Sequence, residues 1–371
     1  MVVFQALTWE ARDVDDEHLI SILGKTENGK SVCLTTVFEP YFFVKLPRGT
    51  TEQEVRLLYN DLNKLRPDHV TSYSLTKKKD VWGFQNNEMF AYMRLNFKTL
   101  VDRRKVNSIF AYNSNFRKFH VYESNIDPVL RLMHRTGIQS TGWLDTGSDC
   151  IRSHLAKVDI DLWCNDWTTL KPVARDDIAP FVVASLDIEC NSSTGKFPDA
   201  DITDDVCFQI ALSLCKFGND EPYEKVCLCY KKTEGPDVVS FDTERGMLEA
   251  FQKYLHEKDV DIITGWNIFG FDLEYIFKRA HMVECDPEFF NLGKLNDPPS
   301  ELLMKKLSSS ALGDNFLKLL PMTGRFIFDM FHEVKKGYKL DSYKLNEVSK
   351  LYLGDQKIDM PPKEMFARYK E

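Results

Sequence analysis

Asp187-Ile-Glu189 follows the largely apolar run Phe181-Val-Val-Ala-Ser-Leu186. A run of that kind predicts a strand buried on both faces, central in a mixed or parallel sheet. On a strand, residues i and i+2 point to one face, so both carboxylates converge at the strand's carboxyl end. Paired carboxylates there suit Mg²⁺ or Mn²⁺, hard cations that take oxygen ligands. Two such ions can activate a water and stabilise the leaving oxygen of a phosphodiester. The spacing alone is weak, because Asp15/Glu17, Asp242/Glu244 and Asp286/Glu288 repeat it in polar, turn-like settings. A solvated strand end is the plain alternative.

Thr264-Gly-Trp-Asn-Ile-Phe-Gly-Phe-Asp272 is the second chemical element. It leaves a strand-like run at 260–263, turns through Gly265 and Gly270, and enters a helix at Asp272. The glycines are expected to let the backbone turn sharply. Asp272 has two readings: a helix N-cap, or a third acidic metal-site residue arriving from a neighbouring element of the same sheet. In the second reading Asn267 orients the substrate or the turn.

The elements that must hold these residues form an α/β pattern. Strands are expected over Val206–Phe217, Glu224–Tyr230 and Val260–Gly265, with helices carrying Met247, Leu248, Phe251 and Leu255, and then Leu273–His281. Asn291–Pro321 reads as a long irregular insertion with Pro298-Pro299 and Ser308-Ser-Ser310. A boundary is expected near Trp167–Pro180, which gives two domains, 1–175 and 176–371. Before it, Tyr41–Leu46 reads as a strand, and Thr51-Glu-Gln-Glu54 as a capping box. Val55, Leu58, Leu62 and Leu65 follow at helical spacing. Strand-like aromatic runs fill Asp80–Phe97, and a second helix is expected over Pro128–Arg135. The whole resembles a small α+β or ferredoxin-like unit beside other strands.

The chain of 371 residues is 43% hydrophobic and 28% charged, an ordinary globular balance. It has no apolar run long enough to span a bilayer, and Met1–Trp9 does not read as a secretory leader. The nine cysteines include no Cys-x-x-Cys pair and read as reduced thiols of an intracellular compartment. Net charge is −8, yet the window Thr71–His120 alone carries +7 and ten aromatics. Basic residues interleaved with aromatics suit single-stranded nucleic acid. The alternative is that the rings are sheet core and the Lys and Arg side chains a solvated face.

Phe-x-x-x-Ser-Leu-Asp-Ile-Glu-Cys at 181–190 resembles the first exonuclease motif of family B DNA polymerases, and Gly265-Trp-Asn-Ile-Phe-Gly-Phe-Asp-Leu273 is similar to the second. Gly324–Met330 and Tyr338–Val348 resemble stretches of the delta-like and large-DNA-virus branches. Glu39–Lys45 and Asp177–Pro180 look most like the viral branch. The resemblance is collinear over nearly the whole chain. It implies a mixed α+β N-terminal domain followed by a ribonuclease-H-like 3′–5′ exonuclease domain. It also implies Asp187, Glu189 and Asp272 as catalytic, metal-site carboxylates for two ions, with Asn267 and Phe271 beside the primer's 3′ end. Its implied partners are DNA, as single strand and primer 3′ end, and the remaining polymerase domains on a longer or second chain. A viral protein would work in the host nucleus or cytoplasm.

One part of the family pattern is missing. The third exonuclease motif places a Tyr four residues before an Asp on a late helix, and no Tyr-x-x-x-Asp follows residue 272. The polymerase motifs are also absent. The expectation is a proofreading and N-terminal portion of a replicative polymerase, weak as a nuclease by itself. A free-standing exonuclease and a non-catalytic DNA-binding remnant are the alternatives. The histidines, His332 included, show no ligand spacing.

Overall fold

A computed structural model of the chain describes residues 1–309, 313–355, 358 and 360–370. Two compact units divide it. One comprises Met1–Ile22, Leu34–Arg152 and Leu162–Arg175; the other comprises Leu23–Cys33, Ser153–Asp161 and the residues from Asp176 onward.

Residues 1–175 supply β1 (Val3–Val14), β2 (Glu17–Lys25), β3 (Ser31–Val37), β4 (Tyr41–Lys45), α1 (Glu52–Leu65), β5 (Ser72–Lys78) and β6 (Phe90–Asn96). They continue with α2 (Leu100–Tyr112), β7 (Val121–Tyr122), α3 (Pro128–Thr136), β8 (Trp143–Asp145), β9 (Cys150–Arg152), β10 (Ile160–Cys164) and β11 (Lys171–Val173). One sheet has the order β11-β8-β1-β2-β3-β10-β9, and a second the order β5-β6-β4-β7. The second sheet is antiparallel throughout. With α1 and α2 it forms a β-α-β-β-α-β unit of ferredoxin-like topology. Thr51 and Glu54 make the expected capping box at α1.

Two expectations in this region need correction. Helix α2 is an additional element, so Pro128–Thr136 is the third helix rather than the second. Asp80–Phe97 is strand only from Phe90, the preceding residues forming turns. In the basic, aromatic window most of the rings pack inward, while most of the lysines and arginines lie exposed. Tyr92, Phe97, Phe110 and Phe116 are buried, Tyr73, Phe90 and Phe119 are half-buried, and only Trp82, Phe84 and Tyr112 are exposed. Arg103 is buried too, donating from Nη1 to the Ile126 carbonyl at 2.8 Å.

From Asp176 onward the chain supplies β12 (Val182–Cys190), β13 (Cys207–Lys216), β14 (Glu224–Tyr230), β15 (Val238–Phe241), α4 (Glu244–Glu257), β16 (Ile262–Gly265) and α5 (Asp272–Met282). It continues with β17 (Leu303–Ser309), β18 (Gly313–Leu319), β19 (Phe326–Asp329), α6 (Met330–Gly337), α7 (Leu345–Leu353) and α8 (Pro362–Lys370). The main sheet has the order β15-β14-β13-β12-β16-β19. β12 is antiparallel to β13 and parallel to β16, and β19 is parallel to β16. This is the mixed sheet of a ribonuclease-H-like α/β unit. Its core packs Ala184, Leu186, Ile210 and Leu212 from the sheet against Met247, Phe251, Leu273 and Ile276 from α4 and α5.

β12 is not buried on both faces. Val182, Ala184, Leu186, Ile188 and Cys190 are covered, while Ser185 and Asp187 are exposed and Val183 and Glu189 half-buried. Asn291–Pro321 is also more regular than expected. It contains the β17–β18 hairpin, paired from Leu303↔Leu319 to Ser309↔Gly313. Leu303 and Met304, which open β17, lie largely exposed. Ser310, the end of the expected serine run, lies outside the described residues.

A buried carboxylate aligns the central strands. Asp261, just before β16, accepts the Val182 N–H of β12 at 2.8 Å. It also pairs with Lys25 and Lys294, each at 2.5 Å.

Candidate active site

β12 runs on to Cys190, past the point where β16 ends. The last pair between the two is Leu186↔Gly265, which leaves the N–H of Ile188 without a strand partner. The chain then loops through 266–271 and starts α5 at Asp272, whose carboxyl accepts that N–H. Side-chain oxygen thus replaces the missing strand beyond the carboxyl end of the parallel pair. In open α/β sheets, that end is where ligands bind.

Asp272 is the first residue of α5. The N-cap position is Phe271, which makes no side-chain cap bond, so the N-cap reading of Asp272 is set aside. Asp272 is 5% exposed. Burial first, and then the negative charge of Asp187, push its carboxyl up to about 7. The Ile188 N–H and its own N–H pull the other way, and Asp329 adds to the rise. A helix N-terminus favours a carboxylate, so burial and like charge outweigh the helix here.

Asp187 lies exposed on the open face of β12, with Glu189 half-buried two residues further along that face. Glu189 borders two hollows. One, of about 940 Å³, is lined by Phe208, Gln209, Tyr230, Met365 and Tyr369. Tyr369 of α8 stacks on Phe208 at 4.9 Å and takes the Lys231 ammonium over its ring at 4.0 Å. The other hollow, of about 410 Å³, is lined by Phe197, Phe271 and Phe366. Phe271 meets the exposed Phe197 edge-on at 5.1 Å.

Asn267 supports the turn. It takes the left-handed φ of 64°, and its carbonyl accepts the N–H groups of Gly270 and Phe271. The two glycines matter for space rather than for turning, since neither has positive φ. A Cβ on Gly265 would lie 2.5 Å from the Leu186 carbonyl oxygen, and one on Gly270 would overlap the Asn267 amide. Asp329, to which sequence reasoning assigned no role, fixes the loop. It accepts the N–H groups of Asn267 at 2.9 Å and Phe269 at 3.0 Å, and caps α6 through Phe331 at 3.0 Å. The run Phe-Ile-Phe-Asp329, a strand ending in a carboxylate like the one at Asp187, was the available signal. His332 lies 4.0 Å from Asp329.

The donor set is all oxygen, which suits Mg²⁺ or Mn²⁺. A cation would also relieve the repulsion between Asp187 and Asp272. Among the described residues, though, no three His, Cys, Asp or Glu side chains come together closely enough to hold a metal ion. Asp187 raises the Asp272 carboxyl, yet Asp187, Glu189 and Asp272 are not gathered as one metal-holding group. Among the described residues, no helix is long and apolar enough to cross a membrane.

A model of the DNA polymerase family B exonuclease domain matches residues 119–348. The chain is 32% identical to a DNA polymerase of Paramecium bursaria Chlorella virus NY2A, over 99% of this chain and 41% of that protein. It is 30% identical to the DNA polymerase delta catalytic subunit of Dictyostelium discoideum, over 92% of this chain and 33% of that one. With a DNA polymerase of Acanthamoeba polyphaga mimivirus the identity is 26%, over 96% and 27%. The chain therefore spans less than half the length of these relatives.

Proposed function

Because this chain belongs to the family B DNA polymerases, we propose that it is the N-terminal and proofreading 3′–5′ exonuclease portion of a replicative DNA polymerase. Residues 1–175 are the N-terminal domain in this reading, and residues 176–371 the exonuclease domain. The substrate is the 3′ end of a DNA primer, and the reaction is metal-dependent phosphodiester hydrolysis. The remaining polymerase domains come from a longer or second chain, which agrees with the share of the relatives that the match covers.

The observation that carries the reading is Asp272, a buried carboxyl held up to about 7 beside Asp187. Perturbed carboxyl pairs of this kind cluster at functional sites. Asp187, Glu189 and Asp272 would hold two Mg²⁺ or Mn²⁺ ions. Bound there, the ions would activate a water and stabilise the leaving 3′ oxygen. Phe271, beside Phe197, would flank the terminal nucleotide, while Asn267 would act through the loop. The reading as a non-catalytic DNA-binding remnant draws on one observation, that among the described residues no three ligand-type side chains are gathered to hold a metal ion.

Calorimetric titration with Mn²⁺ separates the two readings. The unaltered chain should bind Mn²⁺, and the Asp187→Ala/Glu189→Ala double variant should not. Equal affinity in both would make these carboxylates a solvated strand end.

A further inference from the structure

The ferredoxin-like unit presents a second concentration of charge, remote in sequence from the carboxylates. A cleft of about 660 Å³ lies between the β4–β6 strands and α3. Tyr41 is sandwiched there between two guanidinium groups, Arg94 at 3.8 Å and Arg131 at 3.9 Å from its ring centre. Lys78 sits over Phe43 at 4.6 Å. Arg135, one helical turn beyond Arg131, stands 6.0 Å from the Trp167 ring. Aromatic faces hold cations in this way and fix guanidinium planes without consuming their N–H edges.

Of these four cations only Arg131 has a carboxylate partner among the described residues. It is buried and donates to Glu123 Oε2 at 3.0 Å. Arg94 spends its Nε on Asn96 Oδ1 at 2.8 Å. Among the described residues, no carboxylate lies within ion-pair distance of Arg94, Arg135 or Lys78. Glu39 acts on Arg94 only from further away. Burial holds the Arg94 guanidinium below its ordinary value, and neighbouring Arg135 adds to that. Such a cluster is stabilised by an anion that enters it.

We propose that this cleft binds the phosphate backbone of single-stranded nucleic acid, with Arg94, Arg135 and Lys78 holding the phosphates and Arg131 as their buried support. Three cations without carboxylate partners exceed the charge of about −2 on a single phosphate monoester, which favours successive phosphodiesters over a free nucleotide. The cleft's volume is that of a small-ligand site, so it takes a short stretch of strand and not a duplex. The faces of Tyr41 and Phe43 are already covered by cations, so bases do not stack on them. Recognition is therefore by backbone, with little sequence preference. This differs from a diffuse basic, aromatic window over 71–120, because two of its cations, Arg131 and Arg135, lie beyond that window, and Arg117 and Lys118 within it take no part.

The test is the salt dependence of oligo-dT affinity, measured by fluorescence anisotropy on the full chain. Removing one cation that neutralises a phosphate of a single strand flattens the log–log slope by about 0.7. Lys78 and Arg135 are exposed, so Lys78→Gln/Arg135→Gln should keep the fold and flatten the slope by about 1.4. Arg117→Gln/Lys118→Gln, also exposed but outside the cleft, should leave the slope unchanged. Binding at the carboxylate site is common to all variants and cancels in the comparison. An unchanged slope in the cleft variant, or equal flattening in both, would overturn the proposal. So would displacement of the oligonucleotide by thymidine monophosphate at equal concentration, which would mark a free-nucleotide pocket.

Discussion

The carboxylate of Asp329 accepts the backbone N–H of Asn267 at 2.9 Å, and so ties the end of β19 to the loop that leads into Asp272. The same carboxylate takes Phe269 N–H and caps α6. One buried side chain thereby satisfies three amides that no strand or helix serves. Replacement by Ala would take the acceptor away from all three at a buried position. A lost cap and unsatisfied buried donors together should cost about 2–4 kcal/mol. Asp329→Asn keeps an acceptor and should cost less than half of that. Urea denaturation of the two variants checks the order. Equal losses would mean that the negative charge, and not the acceptor geometry, holds the loop.

Asp272 makes stability depend on pH in a definite direction. Its folded value of about 7 lies above the ordinary 3.8. Between those values the folded chain holds a proton that the unfolded chain has released. Stability from this group is therefore full below about pH 4 and falls as pH rises through about 7. The loss is on the order of a few kcal/mol. Asp272→Asn keeps the Ile188 N–H bond and should be the more stable form at pH 8, with its advantage gone at pH 4. Excess Mn²⁺ at pH 8 should stabilise the unaltered chain by mass action and leave the Asn variant where it was. Denaturation midpoints at the two pH values, with and without Mn²⁺, decide it.

Asp261 tests how firmly the strand ends are aligned. It is 1% exposed and neutralises Lys25 and Lys294 while accepting Val182 N–H. Asp261→Ala would strand two buried ammonium groups, and breaking a buried pair from one side costs about 3–5 kcal/mol. Asp259, which also reaches both lysines, should soften this towards the lower end. A loss under about 1 kcal/mol would show that the lysines find water once Asp261 is gone.

How much of this was legible follows from the physics of each element. α4, α5 and the capping box of α1 read directly, because their burial patterns and caps are local. α2 did not. Val106, Ile109 and Phe110 mark its buried face, but Arg103 lies on that face too, buried and bonded to the Ile126 carbonyl. A core-facing arginine breaks the apolar period. The carboxylates Asp187 and Glu189 were legible as a strand pair, yet their strand read as doubly buried because Val183 and Ser185 are small enough to pass for core. Asn267 takes the left-handed turn that the glycines were expected to make, since Gly265 and Gly270 are needed where backbone and side chain crowd them. Asp329 went unassigned because its partners are backbone amides, which a sequence does not display. The cation cluster around Tyr41 joins residues from β4, β6 and α3, a juxtaposition that only the fold creates.

Hydrolysis by these 371 residues alone should be slow. They contain no Tyr-x-x-x-Asp after Asp272, and among the described ones no three metal-ligand side chains are gathered. Two-ion hydrolysis depends on placing both ions and the attacking water together, and misplacement by ~1 Å can cost ~10²-fold. A labelled primer with a mismatched 3′ end, incubated with Mn²⁺, should therefore be trimmed slowly by this chain. Adding the continuation of the reading frame, where the genome carries one with a Tyr-x-x-x-Asp helix, should raise the rate by ~10² or more. Asp187→Ala should then abolish the gain, while Lys78→Gln/Arg135→Gln should leave the rate at saturating primer unchanged. Rapid trimming by the 371 residues alone, lost in Asp187→Ala, would instead make the chain a self-sufficient exonuclease whose ligand set closes when metal and primer bind.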